Sequence, residues 1–134
     1  MIYAVIDTNV FVSAYITHNT QAATSKVVEG LLIGRIKPLY NDEIMAEYKE
    51  VLSREYFHIS LEKREALFEY IIKNGILTDR TAFHELFVDE SDRVFYEVAL
   101  SKEDSFLVTG NTKHYPFTPQ VVTPAQMLQI LEEE

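Results

Sequence analysis

Residues 2–9 read IYAVIDTN, and this stretch decides the architecture. Ile2–Ile6 is an unbroken apolar run stopped by Asp7. A strand with one wet face alternates apolar and polar residues, whereas a continuous apolar run belongs to a strand covered on both faces, as in a parallel sheet. Asp7 follows that strand directly. In such sheets ligands bind beyond the carboxyl ends of the strands, at the point where the strand order reverses. The same stretch therefore indicates a fold class and a place to look for chemistry.

Working outward, the spacing predicts a helix from Thr8 to about Ile16 and another over Ala23–Leu32, where Val27, Val28, Leu31 and Leu32 share a face. Ile36–Tyr40 reads as a second strand. Asn41 or Asp42 then caps a helix to about Ser53, with Ile44, Tyr48, Val51 and Leu52 as its apolar stripe. A helix over Leu61–Lys73 is closed by Asn74-Gly75. Ile76–Val88 carries no clear period, with Leu86–Val88 as a candidate extended piece. Ser91–Leu100 is helical through Val94, Phe95, Val98 and Ala99. Ser105–Thr109 is a third strand and Gln120–Thr123 a short fourth, and Pro124 opens a terminal helix to Leu131. Strands alternating with helices predict an α/β fold with a mainly parallel sheet, in one domain over residues 1–134.

Composition narrows the function. The 134 residues hold 12 Lys+Arg against 21 Asp+Glu, a net charge of −9, which disfavours a protein that grips nucleic acid by simple charge attraction. With no cysteine, disulfides, thiolate nucleophiles and zinc–thiolate sites are excluded. No apolar run approaches the ~20 residues of a membrane span, and the start lacks a basic leader, so a cytoplasmic protein with no membrane partner is expected. An acidic protein still reaches phosphate when a divalent cation lies between them.

Three acids stand at element edges. Asp7 is either a helix N-cap or a site carboxylate at the strand end. At ~100° per residue, Glu47 lies on the rim of its helix's apolar stripe, where it is either an ordinary boundary residue or turned into a cleft. Asp92 holds a similar rim position, although Asp89, Glu90 and Asp92 together also make good helix-start chemistry. Converging without a cation, such acids raise one another's pKa and cost stability. Mg²⁺ or Mn²⁺ relieves that repulsion, and it suits phosphoryl chemistry by polarising the P–O bond and activating water. Asn9 is a candidate partner of Asp7 or of substrate.

These residues resemble the PIN-domain family. Asp7-Thr8-Asn9-Val10 after IYAVI, Glu47 within EIMAEYKEVLSR, Asp92-Arg93-Val94-Phe95 with Ala99, and Leu107–Asn111 (LVTGN) carry the likeness in order along nearly the whole chain. The stretch Thr109–Pro116 (TGNTKHYP) resembles the toxin-like branch, the nuclease halves of toxin–antitoxin pairs. The resemblance implies a Rossmann-like three-layer α/β/α sandwich and hydrolysis of RNA phosphodiesters with Mg²⁺ or Mn²⁺. It implies Asp7, Glu47 and Asp92 as metal ligands, Asp92 being preferred to Asp89 by its distance from Phe95 and Ala99. Thr109 matches the hydroxyl residue that fixes the first acid or a water. Where many members carry a fourth acid this chain has Asn111, a neutral oxygen donor, so a second ion is expected to bind more weakly. The branch also implies a small antitoxin protein and a homodimer as partners.

Arg54 and Arg93 either neutralise substrate or pair with neighbouring Glu, and Lys113 and His114 either contact phosphate or are solvated. His18, His58 and His84 read as surface or packing residues, and Glu132–Glu134 as a solvated tail. Two other classes compete. A phosphoacceptor receiver domain would need paired acids after the first strand, where Asp7 is followed by Thr8, and would leave Asp42 as acceptor. A haloacid-dehalogenase-type phosphatase would need an acid where Asn9 stands. A catalytically silent binding module of the same fold is kept open by Asn111.

Overall fold

The computed structural model describes residues 1–134. Its strands are β1 Ile2–Ile6, β2 Ile36–Tyr40, β3 Ile76–Leu77, β4 Ser105–Val108 and β5 Val121–Val122. The helices are α1 Thr8–Ile16, α2 Ala23–Leu32, α3 Asp42–Leu52, α4 Leu61–Asn74, α5 Arg93–Leu100 and α6 Pro124–Glu133. Single 3-10 turns occupy Glu55–Phe57, Glu90–Asp92 and Thr112–His114.

All strand pairs are parallel, in the order β3-β2-β1-β4-β5. β1 lies in the middle, and its last residues, Ala4, Val5 and Ile6, are buried one after another. Consecutive strand side chains point to opposite faces, so both faces at that end are covered and the layering is α/β/α. The chain leaves β1 toward β2 and later returns on the other side as β4. The carboxyl ends of β1 and β4 thus form the switch point of the sheet.

β3 is the strand the spacing did not resolve. It has two residues, pairing Ile76 with Leu39 and Leu77 with Tyr40. Pro38 has no N–H for a ladder, and β3 pairs only with the residues after it. A side chain at Gly75 would meet the Pro38 carbonyl oxygen at 2.8 Å, so only glycine lets α4 turn this closely onto β2. Asn74-Gly75 does end α4, with Gly75 in extended backbone at φ −84° and its N–H returned to the Ile71 carbonyl. Leu86–Val88 is not a strand and belongs to the irregular run before Asp89. Asn41, not Asp42, caps α3, its Oδ1 accepting from the Ile44 N–H at 2.8 Å.

Helix ends follow their sequence signals. Thr123 and Gln126 form a reciprocal capping box on α6 with Pro124 at its first position. Beneath the sheet's carboxyl edge, Phe11 of α1, Tyr48 of α3 and Phe95 of α5 form a chain of rings, with centroids 5.0 and 6.1 Å apart. Each is essentially buried, and full burial of one such side chain stabilises the fold by about 1.5–3 kcal/mol. The three helices that carry or follow Asp7, Glu47 and Asp92 are therefore joined through two ring contacts that share Tyr48. No helix is long and apolar enough to cross a membrane.

Candidate functional site

A cleft of about 500 Å³ opens at the switch point. Asp7, Glu47 and Asp92 all line it, with Asn9, Arg54, Asn111 and His114 and with Thr8, Glu50, Phe57 and Asp89. The acids come from the end of β1, from α3 and from the start of α5, so it is the topology that gathers residues far apart in the chain.

Asp7 is 5% exposed. Its Oδ2 accepts from the Thr109 hydroxyl at 2.8 Å and the Tyr115 hydroxyl at 3.0 Å, and the Asn9 amide nitrogen lies 3.4 Å away. The carboxylate makes no capping bond to α1, so a helix cap does not explain it. Burial raises its pKa and outweighs the hydroxyl donors, which act the other way. Thr109 is fully buried and receives the Asn111 N–H at 3.0 Å while donating to Asp7. Asn9 Oδ1 accepts the Gly110 N–H at 3.2 Å, which ties the loop after β4 to the loop after β1.

Glu47 is held by the Thr8 hydroxyl through its Oε2. Burial raises its pKa, and the charges of Asp7 and Asp89 add to the shift. Asp92 is 15% exposed at its side chain, and its Oδ2 lies 3.3 Å from His114 Nδ1. Burial, then the charges of Asp7 and Asp89, push its pKa up to about 6. The neighbouring acid behaves oppositely. Asp89 caps its own turn by accepting from the Ser91 N–H at 3.0 Å and hydroxyl at 2.8 Å, and these bonds lower its pKa. Helix-start chemistry thus accounts for Asp89 and leaves Asp92 without such a role.

The basic candidates divide. Arg54 reaches the cleft wall, but its Nη2 is paired with Glu50 at 2.8 Å. Arg93 binds Glu90 and the carbonyls of Phe83 and Glu85, which makes it a loop fastener. Lys113 faces neighbouring depressions lined by Tyr115 and Pro116, outside the acidic cleft. Asp42 is exposed in another depression with Glu43 and Asp79, apart from Asp7. His18, His58 and His84 are exposed. Two residues inside the quoted motifs have site roles that the sequence reading did not assign. Thr8 reads there as a helix-start residue, and Tyr115, 108 positions from Asp7, reads as one more core ring.

The donors are hard oxygens: three carboxylates and the Asn111 amide, a set that suits Mg²⁺ or Mn²⁺ rather than a thiophilic metal. In the recorded side-chain positions no three His, Asp or Glu groups stand close enough to hold one ion. The structure thus brings the acids to one cleft, not to one coordination point. The family model described as PIN domain matches residues 3–113, a span that contains Asp7, Glu47, Asp92, Thr109 and Asn111. No curated protein matches the chain.

Proposed function

The chain belongs to the PIN-domain family, and from that premise we propose that residues 1–134 form one nuclease domain that hydrolyses RNA with Mg²⁺ or Mn²⁺ held by Asp7, Glu47 and Asp92. PIN domains are generally nucleases and typically use divalent metals. The observation that carries the reading is the way each acid is held. One oxygen of each carboxylate meets a side chain from elsewhere: Thr109 and Tyr115 at Asp7, Thr8 at Glu47, and His114 at Asp92. No side chain donates to the other oxygen. The hydroxyl partners orient an acid without neutralising it, as the outer contacts of metal ligands do.

When bound, the cation polarises the scissile P–O bond and offsets the charge that develops on the phosphoryl oxygens. Thr109 and Tyr115 fix the rotamer of Asp7, and Thr8 does the same for Glu47. Asn111 offers an uncharged oxygen at the edge of the set. His114 Nδ1 faces Asp92 Oδ2 and steadies it from the loop after β4. The Thr109–Pro116 motif supports membership of the toxin-like branch, with a cytoplasmic location, a small antitoxin and a homodimer as its associates.

Cleavage of a single-stranded RNA with and without Mn²⁺ tests this, comparing wild type with Asp7→Asn and Asp92→Asn. Metal-dependent cleavage lost in both variants, with melting preserved, is the expected result. Cleavage retained by either variant removes that acid from the mechanism. A silent binding module would instead bind RNA with no cleavage at any metal concentration.

A further inference from the structure

The acidic cleft has a physical difficulty as an RNA site. The chain carries a net charge of −9. Asp7, Glu47, Glu50, Asp89 and Asp92 line the cleft, and Arg54 and His114 are its basic members. Arg54 is already committed, because its guanidinium meets both Glu50 oxygens, at 2.8 and 3.4 Å. Lys and Arg contacts to phosphate supply most of the sequence-independent affinity of ordinary nucleic-acid binders. Here that term is nearly absent beside the reacting acids. A polynucleotide has one other surface that every nucleotide shares, the π-face of the base, and stacking on an aromatic ring needs no cation.

Such a ring stands at the lip. The turn Glu55–Phe57, just after α3, carries two aromatics. Phe57 lines the cleft, and Tyr56 is 67% exposed beside it, with ring centroids 4.5 Å apart and planes tilted by 56°. The Tyr56 hydroxyl lies 3.4 Å from Arg54 Nη1, so a second side chain braces the ring. His58 ends the turn at φ 54° and ψ 35°, and it is the one non-glycine residue with positive φ in the chain.

From these contacts we infer that Tyr56, braced by Phe57 and Arg54, is a stacking shelf for one unpaired nucleobase of the RNA strand that occupies the acidic cleft. The inference rests on the nuclease reading of that cleft and names its substrate class. Bases of an A-form duplex are stacked on one another and offer no free face, so the shelf selects single-stranded or looped RNA. Arg54 becomes a positioning residue for the ring, not a phosphate clamp.

The test is steady-state cleavage by the full chain in Mn²⁺, using a single-stranded oligoribonucleotide and the blunt duplex it forms with its complement. Tyr56→Ala raises KM on the single strand by about five-fold or more, the low end of measured base-stacking effects. It leaves kcat and the melting temperature unchanged, and Tyr56→Phe restores the wild-type KM. The duplex is a poor substrate for wild type and Tyr56→Ala alike. An unchanged KM, or a loss confined to kcat or to melting, overturns the shelf while leaving the nuclease intact. Should wild type cleave nothing, fluorescence anisotropy of the same oligonucleotide in Ca²⁺ decides. Binding weakened by Tyr56→Ala keeps the shelf and removes only the nuclease; equal binding by the two removes the shelf, and no binding by wild type removes both.

Discussion

Two acids of this protein are buried to nearly the same depth, Glu97 at 6% exposure and Asp7 at 5%, and they live under opposite electrostatics. Glu97, on α5, accepts from Arg80 Nε at 2.7 Å and from the Phe83 N–H at 2.8 Å, and Arg80 reaches on to Glu43 at 2.8 Å. Burial works against its ionisation, yet the Phe83 N–H and the Arg80 guanidinium hold its pKa below the usual value. Asp7 meets no cationic side chain, only hydroxyls and amide N–H groups, and burial keeps its pKa raised. A buried carboxylate is therefore not in itself a sign of function. Glu97 has its countercharge inside the chain and closes a loop with it, whereas Asp7 has none there, and under the proposed function a divalent cation supplies it.

The largest effect that would sharpen this contrast is on the rate. Asp7→Asn is expected to lower kcat at saturating Mn²⁺ by about a thousand-fold, on the order of 4 kcal/mol of barrier, with a melting temperature equal to or above that of wild type. A wild-type rate in that variant would erase the distinction. Next comes Glu97→Ala, which leaves Arg80 and the Phe83 N–H without their partner. It should cost about 3 kcal/mol in a urea titration while the folded fraction still cleaves RNA.

Added cation should act on one side of the comparison only. Mn²⁺ at a hundred times its dissociation constant stabilises wild type by about 2.7 kcal/mol, and in Asp7→Asn the shift is lost. A thermal shift of equal size in both proteins would place the ion elsewhere.

The smallest effect concerns pH. In metal-free buffer the Asp92 carboxyl titrates near 6 when folded, against an ordinary value of 3.8. Between those values the folded state holds more protons than the unfolded one, so Asp92 makes stability fall as pH rises through that window. Asp92→Asn should therefore be more stable than wild type at neutral pH, on the order of 1 kcal/mol because the carboxylate keeps some hydration, with the gain vanishing in acid. Glu97 runs the other way: its lowered pKa contributes stability at neutral pH that fades on acidification. Melting curves of Asp92→Asn and Glu97→Gln across the acid range separate the two signs.

Much of this arrangement was legible in the chain. The uninterrupted Ile2–Ile6 run announced a central parallel strand, and parallel topology then singled out the residue after it. Glu47 and Asp92 emerged as rim positions of amphipathic helices, and the family resemblance, not periodicity, selected Asp92 over Asp89. β3 escaped because two residues cannot display a period. Arg54 and Arg93 had two readings, substrate or a neighbouring Glu, and the structure gives them Glu50 and Glu90 at helical spacing, while the carbonyls that Arg93 also reaches follow no spacing rule. The hold of Thr8 on Glu47, across 39 positions, and of Tyr115 on Asp7 escaped for the same reason. A hydroxyl's partner is a property of the packed molecule, and nothing local in the sequence encodes it.

The ties of α3 bear on ion choice. The Tyr48 hydroxyl donates to the carbonyl of Ile6, immediately before Asp7, and the Thr8 hydroxyl, immediately after it, donates to Glu47. These two bonds clasp the helix on both sides of that aspartate, so moving it outward to admit a bulkier guest would break them. Under the proposed function, discrimination between Mg²⁺, with its short oxygen distances of about 2.1 Å, and the larger Ca²⁺ at about 2.4 Å would then rest on the hydrophobic interior. Repacking Phe11 or Phe95, neither of which touches solvent, would register first as a changed tolerance for ionic radius.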